Sequence, residues 1–241
     1  MSEKLIIAIE TSGRVGSAAI GRGNELISEI SFSGFMKHSA ELFTVLERLL
    51  HRANATADAI EEVYITAGPG SFTGLRIAAT AAKMFYFTQR AQIIAADSMA
   101  VIAESASEYA ADTGGTVDCI ATILDAKKDL FYAAVFDRID GHWQRCLDTD
   151  IFTAKQLLNW LEINKKKNVG LLGEGLVYYA EKFKAPFTHL LDESCWLATA
   201  AGLFQVGQRM TAEKQFADPL ALTPKYIRGP DAAVKRPRQK S

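Results

Sequence analysis

The chain has 241 residues, of which 49% are hydrophobic and 23% are charged, and its formal net charge at pH 7 is -1. This composition is that of an ordinary globular protein with one large domain or two small ones, and it excludes a disordered chain. The near-zero charge excludes a global field that would attract nucleic acid or an anionic membrane, and no apolar run reaches the roughly 18 residues of a membrane span.

The cysteines and the first residues indicate the compartment. The three cysteines are far apart and include no CxxC pair, which argues against a zinc site and a disulfide framework. The N-terminus enters a strand almost at once, with no basic region followed by a long apolar core, so we expect no signal peptide. A reducing cytoplasm is therefore the expected location.

Hydrophobic periodicity in the first part of the chain predicts an α/β unit. Three short strands joined by glycine-containing turns predict an antiparallel meander. Alternating strands and helices follow, which fits a layer with a mixed sheet. The predicted elements are strands 4–10, 17–20 and 25–32, helix 39–52, strand 63–67, helix 73–87, strand 93–96 and helix 98–111.

A glycine pair at 114–115 marks the predicted start of a second unit. We predict sub-domains over 1–111 and 112–211, a segment near 212–230 as a candidate to complete the first, and a basic disordered tail over 231–241. The elements predicted after the boundary are strands 117–124 and 130–136, helix 153–163, strand 169–173, helix 176–183 and helix 196–210.

The most informative segment is the run AGPGSFTGLR at 67–76, between a strand and a helix. It lacks the Lys–Ser/Thr pair of a Walker A loop, and its glycine spacing differs from GxGxxG. Two interpretations stay open: contact with a phosphate, and a rigid turn that launches the helix, which we favour. For Arg76 we expect a carboxylate of its own fold as partner. The glycine-loop candidates are Gly68, Pro69, Gly70, Ser71, Thr73, Gly74 and Arg76.

A second candidate is the turn Glu10, Thr11 and Ser12, which ends the first strand. Hydroxyls and a carboxylate at a strand end resemble a nucleotide-phosphate loop of the actin and sugar-kinase type. A Thr–Ser turn also commonly satisfies its own backbone. The turn is therefore a candidate for a vestigial nucleotide loop.

Metal and nucleophile sites are not predicted. His38 and His51 lie 13 residues apart, and no HxxH, HExxH or HxxxH pair occurs. No serine lies in a nucleophile elbow, and the settings of the cysteines favour burial. Asp125 and Asp129 flank a hairpin turn, where capping is the expected role and a carboxylate pair the alternative.

The helix predicted at 73–87 is apolar around most of its circumference, so it is expected to be buried on more than one side. Together with helix 39–52 it could offer a contiguous face to the helices of a partner. A fully internal core helix is the alternative, and the sequence leaves both open.

Five segments resemble the TsaB (YeaZ) family, in the order that the family has them. The glycine run is the specific one. The segments are LIIAIETS at 5–12, KHS at 37–39, TAGPGSFTGLRI at 66–77, ILDAKK at 123–128 and PKYIR at 224–228. The resemblance implies an α/β actin-like, sugar-kinase-like (ASKHA) fold, with two sub-domains that each hold a mixed sheet flanked by helices.

The resemblance also implies a function in making threonylcarbamoyladenosine at position 37 of tRNAs that read codons beginning with A. In the family, TsaD carries out the transfer, helped by the ATPase TsaE, and TsaB is the non-catalytic partner of TsaD and pairs with itself. ATP and a metal ion are thus expected to belong to TsaE and TsaD, with no cofactor on this chain. Contact with tRNA is expected to be indirect at most, and no membrane is implied.

The catalytic relative holds its metal with an HxxxH pair, and this chain has His38 but Leu42 at the second position, so metal affinity should be poor. Ala78 and Val45 depart from a glycine and a proline that the family often has, which concerns packing. The resemblance places the partner interface on helices 39–52 and 73–87. The interface candidates are Leu42, Val45, Leu46, Leu49, Leu75, Ala78, Ala82 and Phe85.

Two alternatives to the scaffold remain. An ATP-binding kinase or ATPase of the same fold would need acidic residues around a Mg²⁺-nucleotide, with Glu10 and either Asp97 or Asp125 as candidates. A protease would need a metal pair or a triad, and the sequence offers neither.

Overall fold

Ten strands and six α-helices form the part of the chain that the computed structural model describes, which is residues 3–33, 38–112, 117–225 and 227. The first eight elements are β1 (Leu5–Glu10), β2 (Val15–Arg22), β3 (Glu25–Ser33), α1 (His38–Arg52), β4 (Ile60–Gly68), α2 (Phe72–Gln89), β5 (Gln92–Asp97) and α3 (Ser98–Asp112). The next eight are β6 (Cys119–Asp125), β7 (Phe131–Ile139), β8 (His142–Phe152), α4 (Ala154–Ile163), β9 (Val169–Leu172), α5 (Leu176–Tyr179), β10 (Thr188–Leu190) and α6 (Ala200–Ala212).

The strands form two five-stranded mixed sheets. The first sheet has the order β3-β2-β1-β4-β5, in which β1, β2 and β3 are antiparallel neighbours and β1, β4 and β5 run parallel. The second sheet has the order β10-β9-β6-β7-β8, again with an antiparallel and a parallel part. Because parallel strands end at the same edge, the carboxyl ends of β1, β4 and β5 lie side by side.

The first sheet is covered on both faces, which explains why β1 is buried at every position. Its odd-numbered residues, such as Ile7 and Ile9, pack in the core under α1 and α2. Its even-numbered residues Ile6 and Ala8 join a second core that also contains α3, α6 and the strands of the second sheet. The inner helix layer therefore connects the two sheets, while α1 and α2 form an outer layer.

Helix α6 follows the second sheet in the chain but packs against the first. The N–H of Ala200 donates to Ser17 Oγ at 2.7 Å and to Glu29 Oε1 at 2.8 Å. The chain then returns along the first sheet, where the N–H of Ala217 donates to the Ile93 carbonyl at 2.8 Å and that of Lys225 to the Ala67 carbonyl at 2.7 Å. The sub-domain limits at 111 and 211 stay predictions, and the glycine pair at 114–115 and the tail at 231–241 lie outside the described residues.

Helix α2 is the longest described helix, with 18 residues. Ser71 is its N-cap and accepts a hydrogen bond from the N–H of Gly74. The helix ends at Arg90, which adopts the left-handed conformation with φ of 61°. Neither α2 nor any other helix in the described part of the chain has the length and apolar composition needed to cross a membrane.

The fold differs from the predicted elements in its second half. Strands β8 and β10 were not predicted, because β8 alternates exposed and half-buried residues without an apolar run. The predicted helix 176–183 is one α-helical turn followed by a 3-10 turn. The predicted helix 196–210 begins only at Ala200, since Thr199 caps it with its side chain.

Gly207 lets α6 lie directly on the ring of Tyr64. A Cβ at this position would lie 2.2 Å from a ring carbon of Tyr64. We expect Gly207→Ala to lower the free energy of unfolding by about 1–3 kcal/mol, although alanine is the better helix former. Urea denaturation measures this loss. The control is Gln205→Ala on the exposed side of α6, which should change stability by less than about 0.5 kcal/mol; equal effects of the two substitutions would contradict the packing argument.

Candidate functional site

The glycine loop lies directly on the turn that ends β1. The N–H of Ser71 donates to the Ser12 carbonyl at 2.7 Å, and Thr11 Oγ1 donates to the Gly74 carbonyl at 2.8 Å. A Cβ on Gly74 would lie 1.7 Å from the Thr11 carbonyl oxygen, and one on Gly70 would lie 2.6 Å from that of Ser12. The structure therefore brings the two predicted loops together, and close backbone contact is the physical reason for these glycines.

Three of the N–H groups at the start of α2 have partners within the chain. That of Ser71 is bound to Ser12, that of Gly74 to Ser71 Oγ, and that of Leu75 to the Ser71 carbonyl. Gly68 adopts φ of +119°, which favours glycine at the end of β4. This geometry favours the rigid-turn interpretation over phosphate contact. The guanidinium of Arg76 lies over the Phe72 ring, 3.8 Å from its centre, and a carboxylate partner for it stays a prediction.

A polar cleft of about 300 Å³ separates the two sheets beside these loops. The ion pair between Arg14 Nε and Glu174 Oε1, at 3.3 Å, spans it, and the Arg14 guanidinium also lies 5.5 Å from the centre of the Tyr178 ring. Burial raises the pKa of the Glu174 carboxyl, while hydrogen bonding and charge from Arg14 act in the opposite direction. The residues that line the cleft are Ser12, Gly13, Arg14, Gly70, Ser71, Leu124, Asp125, Lys127, Tyr132 and Glu174.

The hairpin turn beside the cleft is built from three consecutive residues with left-handed backbone, Lys127, Lys128 and Asp129. Such conformations are costly for residues other than glycine. Asp125 supports the turn, because its Oδ1 accepts the N–H of Lys127 at 2.7 Å and its Oδ2 pairs with Lys127 Nζ at 2.6 Å. Asp129 instead pairs with Lys182 at 2.6 Å. The two aspartates therefore cap and brace the turn rather than forming a carboxylate pair.

The carboxylates considered for a nucleotide site are engaged within the fold. Asp97 accepts the N–H of Met99 at 2.9 Å and pairs with Arg145 at 3.0 Å. Asp125 is used in the hairpin turn. Glu10 is completely buried and accepts hydrogen bonds from Ser12. These contacts leave no carboxylate of the three exposed and unpaired at the cleft.

The described thiols and imidazoles do not assemble a reactive centre. Burial raises the pKa of Cys119 and of Cys195, so their reactive thiolate forms are disfavoured. Burial also lowers the pKa of His189. Within the described residues, no group of three or more His, Cys, Asp or Glu side chains could hold a metal ion. The His38 side chain lies outside the described part of the chain.

The eight residues predicted for a partner interface face the core of this chain instead. None of them is more than 4% exposed, and all but Leu75 belong to the core cluster between the first sheet and helices α1 and α2. The prediction selected the most apolar stripe of each helix, and on a helix that covers a sheet this stripe is the inner one. The eight are therefore buried in this chain, and a partner contact at them stays a prediction; they are Leu42, Val45, Leu46, Leu49, Leu75, Ala78, Ala82 and Phe85.

A second apolar surface lies on the outside of the same two helices. Phe43 is 50% exposed, Phe72 43% and Met84 38%, and Phe87 extends the stripe at 58%. Between α1 and α2 they leave a groove of about 350 Å³, here called the outer groove. Its lining residues are Leu42, Phe43, Phe72, Thr73, Arg76, Ile77, Thr80, Ala81 and Met84. The sequence could have indicated the outer groove, because α2 has large apolar residues in addition to those of its core stripe.

Comparison with known proteins gives relatives whose names refer to the same tRNA modification, threonylcarbamoyladenosine. The family model described as "TsaD: tRNA N6-adenosine threonylcarbamoyltransferase" matches residues 27–218. A protein of Bacillus subtilis named "tRNA threonylcarbamoyladenosine biosynthesis protein TsaB" is 25% identical, over 95% of this chain and 96% of its own. The protein of the same name from Buchnera aphidicola is 28% identical, over 68% of this chain and 72% of its own.

Two solved structures from Pseudomonas aeruginosa share the fold at 19% sequence identity. The first, described as an uncharacterized protein with similarity to peptidase YEAZ, has a TM-score of 0.79 and covers 93% of this chain and 100% of its own. The second, described as YeaZ, has a TM-score of 0.77 and covers 92% of this chain and 99% of its own. Together with the two mixed sheets flanked by helices, they confirm the predicted α/β architecture and show that this chain has the fold of YeaZ.

The contact between Gly74 and Thr11 is testable, because both partners are backbone and neither can move aside easily. We expect Gly74→Ala to lower the free energy of unfolding by about 3 kcal/mol or more, since the new Cβ would overlap the Thr11 carbonyl. Thr73→Ala, at an exposed neighbouring position, should change it by less than about 0.5 kcal/mol. Thermal or urea unfolding measures both; an unchanged Gly74→Ala variant would show that the loop does not rest on the β1 turn as described.

Proposed function

We propose a function from one premise: this chain belongs to the protein family that the TsaD model describes, as a TsaB (YeaZ) member. The names of its relatives assign it to the biosynthesis of tRNA threonylcarbamoyladenosine. Within that pathway we propose that it is the non-catalytic partner of TsaD. The complex would transfer threonylcarbamoyl to adenosine 37 of tRNAs that read codons beginning with A.

The observation that carries the proposal is the outer groove. Exposed Phe43, Phe72 and Met84 line one continuous apolar surface on α1 and α2. A surface of this kind is costly in water and is typical of a protein-protein contact. Arg76 stands at its edge with its guanidinium over the Phe72 ring, and aromatic and arginine side chains are the residues that most often dominate binding energy. We propose that helices of TsaD occupy this groove.

The state of the acidic residues supports a non-catalytic function. Asp97 and Asp125 are paired with Arg145 and Lys127, and Glu10 is sealed in the core. A kinase or ATPase needs carboxylates that face the nucleotide and its metal ion. The Arg14–Glu174 pair also spans the cleft in which such a nucleotide would lie. The scaffold is therefore favoured over the ATP-using alternative.

Self-association follows from the same surface. An apolar face that fits helices of a related fold can also meet its own copy around a two-fold axis. We propose that a homodimer competes with TsaD for the outer groove, and that TsaE and tRNA are contacted through the complex. An interface of standard size would bury about 1,600 Å² in total.

Charge in the outer groove should block the partner without unfolding the chain. We expect Phe43→Asp and Met84→Asp to weaken binding of purified TsaD by at least about tenfold, because each places a carboxylate in a desolvated contact. Titration calorimetry measures the affinity, and circular dichroism checks the fold.

Ile163→Asp is the matched control, since Ile163 is 69% exposed on α4, away from the groove. It should leave TsaD binding unchanged. Leu46→Asp, by contrast, should unfold the chain, because Leu46 is 4% exposed in the core. Normal TsaD binding by both groove variants would place the interface elsewhere.

Dependence of the reaction on this chain tests the function itself. In a reconstituted mixture of TsaD, TsaE, threonylcarbamoyl-adenylate and tRNA, we expect modification of adenosine 37 to require the chain and to fall in proportion to the loss of TsaD binding by the groove variants. The chain alone should give no product. Modification that proceeds equally without it, or turnover by the isolated chain, would contradict the proposal.

A further inference from the structure

Glu10 is an acidic residue sealed inside the protein. It is the last residue of β1, its side chain has 0% exposure, and Ser17 is its pairing partner on β2. One carboxyl oxygen, Oε1, accepts the N–H of Ser12 at 2.5 Å and the Ser12 hydroxyl at 2.6 Å. This oxygen fixes the turn on which the glycine loop rests.

The other carboxyl oxygen, Oε2, is fully buried and has no hydrogen-bond partner among the described residues. The same is true of Thr66 Oγ1. Because Ile9 and Ile65 are paired in the parallel ladder between β1 and β4, Glu10 and Thr66 are the next neighbours along the two strands and point to the same face. Two unsatisfied buried oxygens thus occupy adjacent positions.

No described cation faces the Glu10 carboxyl. The charged groups on the surrounding elements are used elsewhere: Arg14 pairs with Glu174, and Asp97, just before α3, pairs with Arg145. β2 and β4 present the hydroxyl residues Ser17 and Thr66. An ionised carboxylate here would be a buried charge without a counter-ion, which costs several kcal/mol.

We infer that Glu10 is a neutral carboxylic acid whose proton, carried on Oε2, is donated to Thr66 Oγ1. A single proton then removes both the uncompensated charge and the unsatisfied oxygen pair. Glu10 acts as a structural hydrogen-bond donor that joins the ends of β1 and β4. A neutral acid in this position does not serve as a ligand for a divalent cation. The inference is independent of the proposed function.

Burial changes the pKa of the Glu10 carboxyl in the direction expected for an acid without a counter-ion. It raises the pKa of Glu10, and hydrogen bonds from Ser12 and Gly13 oppose this with smaller effects. A pKa raised in the folded state means that the stabilisation is complete below the pKa of the unfolded chain, near 4.5. It is then lost progressively as the pH rises toward the folded pKa.

The chain contains a matched contrast in Glu62, on β4 of the same sheet. Glu62 is 1% exposed, but its Oε1 pairs with Lys4 Nζ at 2.5 Å and its Oε2 accepts the Tyr64 hydroxyl at 2.7 Å. Both glutamates are buried, and among the residues that the structure describes only Glu62 is paired with a cation. Replacement by glutamine, which has the same shape and no charge, should therefore affect them in opposite ways.

The test compares Glu10→Gln and Glu62→Gln by urea denaturation from pH 5 to pH 9. In Glu10→Gln the new amide can accept from Ser12 and donate to Thr66, so the denaturation midpoint of this variant at pH 7 should equal or exceed that of the parent. Free glutamate is half ionised near pH 4.5. Above that pH, the unfolding equilibrium constant of the parent should rise relative to that of Glu10→Gln by up to about tenfold per pH unit. Glu62→Gln should lower the midpoint. A loss in Glu10→Gln equal to that in Glu62→Gln, without the pH trend, would overturn the inference.

Infrared spectroscopy of the folded parent keeps the inference testable if Glu10→Gln fails to fold. We expect the carbonyl stretch of a protonated carboxyl group at pH 7, retained in Glu62→Gln and shifted to higher frequency in Thr66→Val, which removes the acceptor of the carboxyl proton. A spectrum that shows carboxylate bands but no band of a protonated carboxyl group would overturn the inference. So would one tightly bound cation per chain in elemental analysis of the dialysed protein, since it would supply the missing counter-charge.

Discussion

The structure depends on the close backbone contact between the glycine loop and the turn after β1. Gly74 and Gly70 meet the carbonyl oxygens of Thr11 and Ser12 at distances that no side chain permits. This contact fixes where α2 begins, so it fixes the height and rotation of α2 on the first sheet. It therefore determines both which residues of α2 enter the core and which line the outer groove.

The two layers of helices have different functions in this architecture. Helices α3 and α6 share one core with both sheets, so they hold the halves of the molecule together. Helices α1 and α2 cover only the outer face of the first sheet, and their opposite sides have no further layer above them in the described part of this chain. Their outer apolar residues are therefore exposed to water in this chain, which is unfavourable.

The sequence predicted the elements whose apolar residues are buried, and it failed where burial depends on a neighbour. Strand β1 and the strands around the glycine loop have continuous apolar runs, and their limits were close to those observed. Strand β8 has no such run and was missed, because it forms through pairing with β7. The predicted interface residues proved to be buried for a related reason: periodicity identifies an apolar stripe on a helix but does not show whether that stripe meets the sheet or the solvent. The pairing of Glu10 with Thr66 depends on strand register, which the sequence does not specify without knowledge of the strand order.

The division of α2 into two apolar sides also explains why the start of this helix must be held firmly. The glycine loop is held by Ser12 and Thr11, and the turn is held by Glu10, so the two loops together support the start of α2. None of these contacts requires a ligand. A displaced α2 would present its exposed phenylalanines at a different angle, so the glycines and hydroxyls of the two loops also determine the geometry of the outer groove.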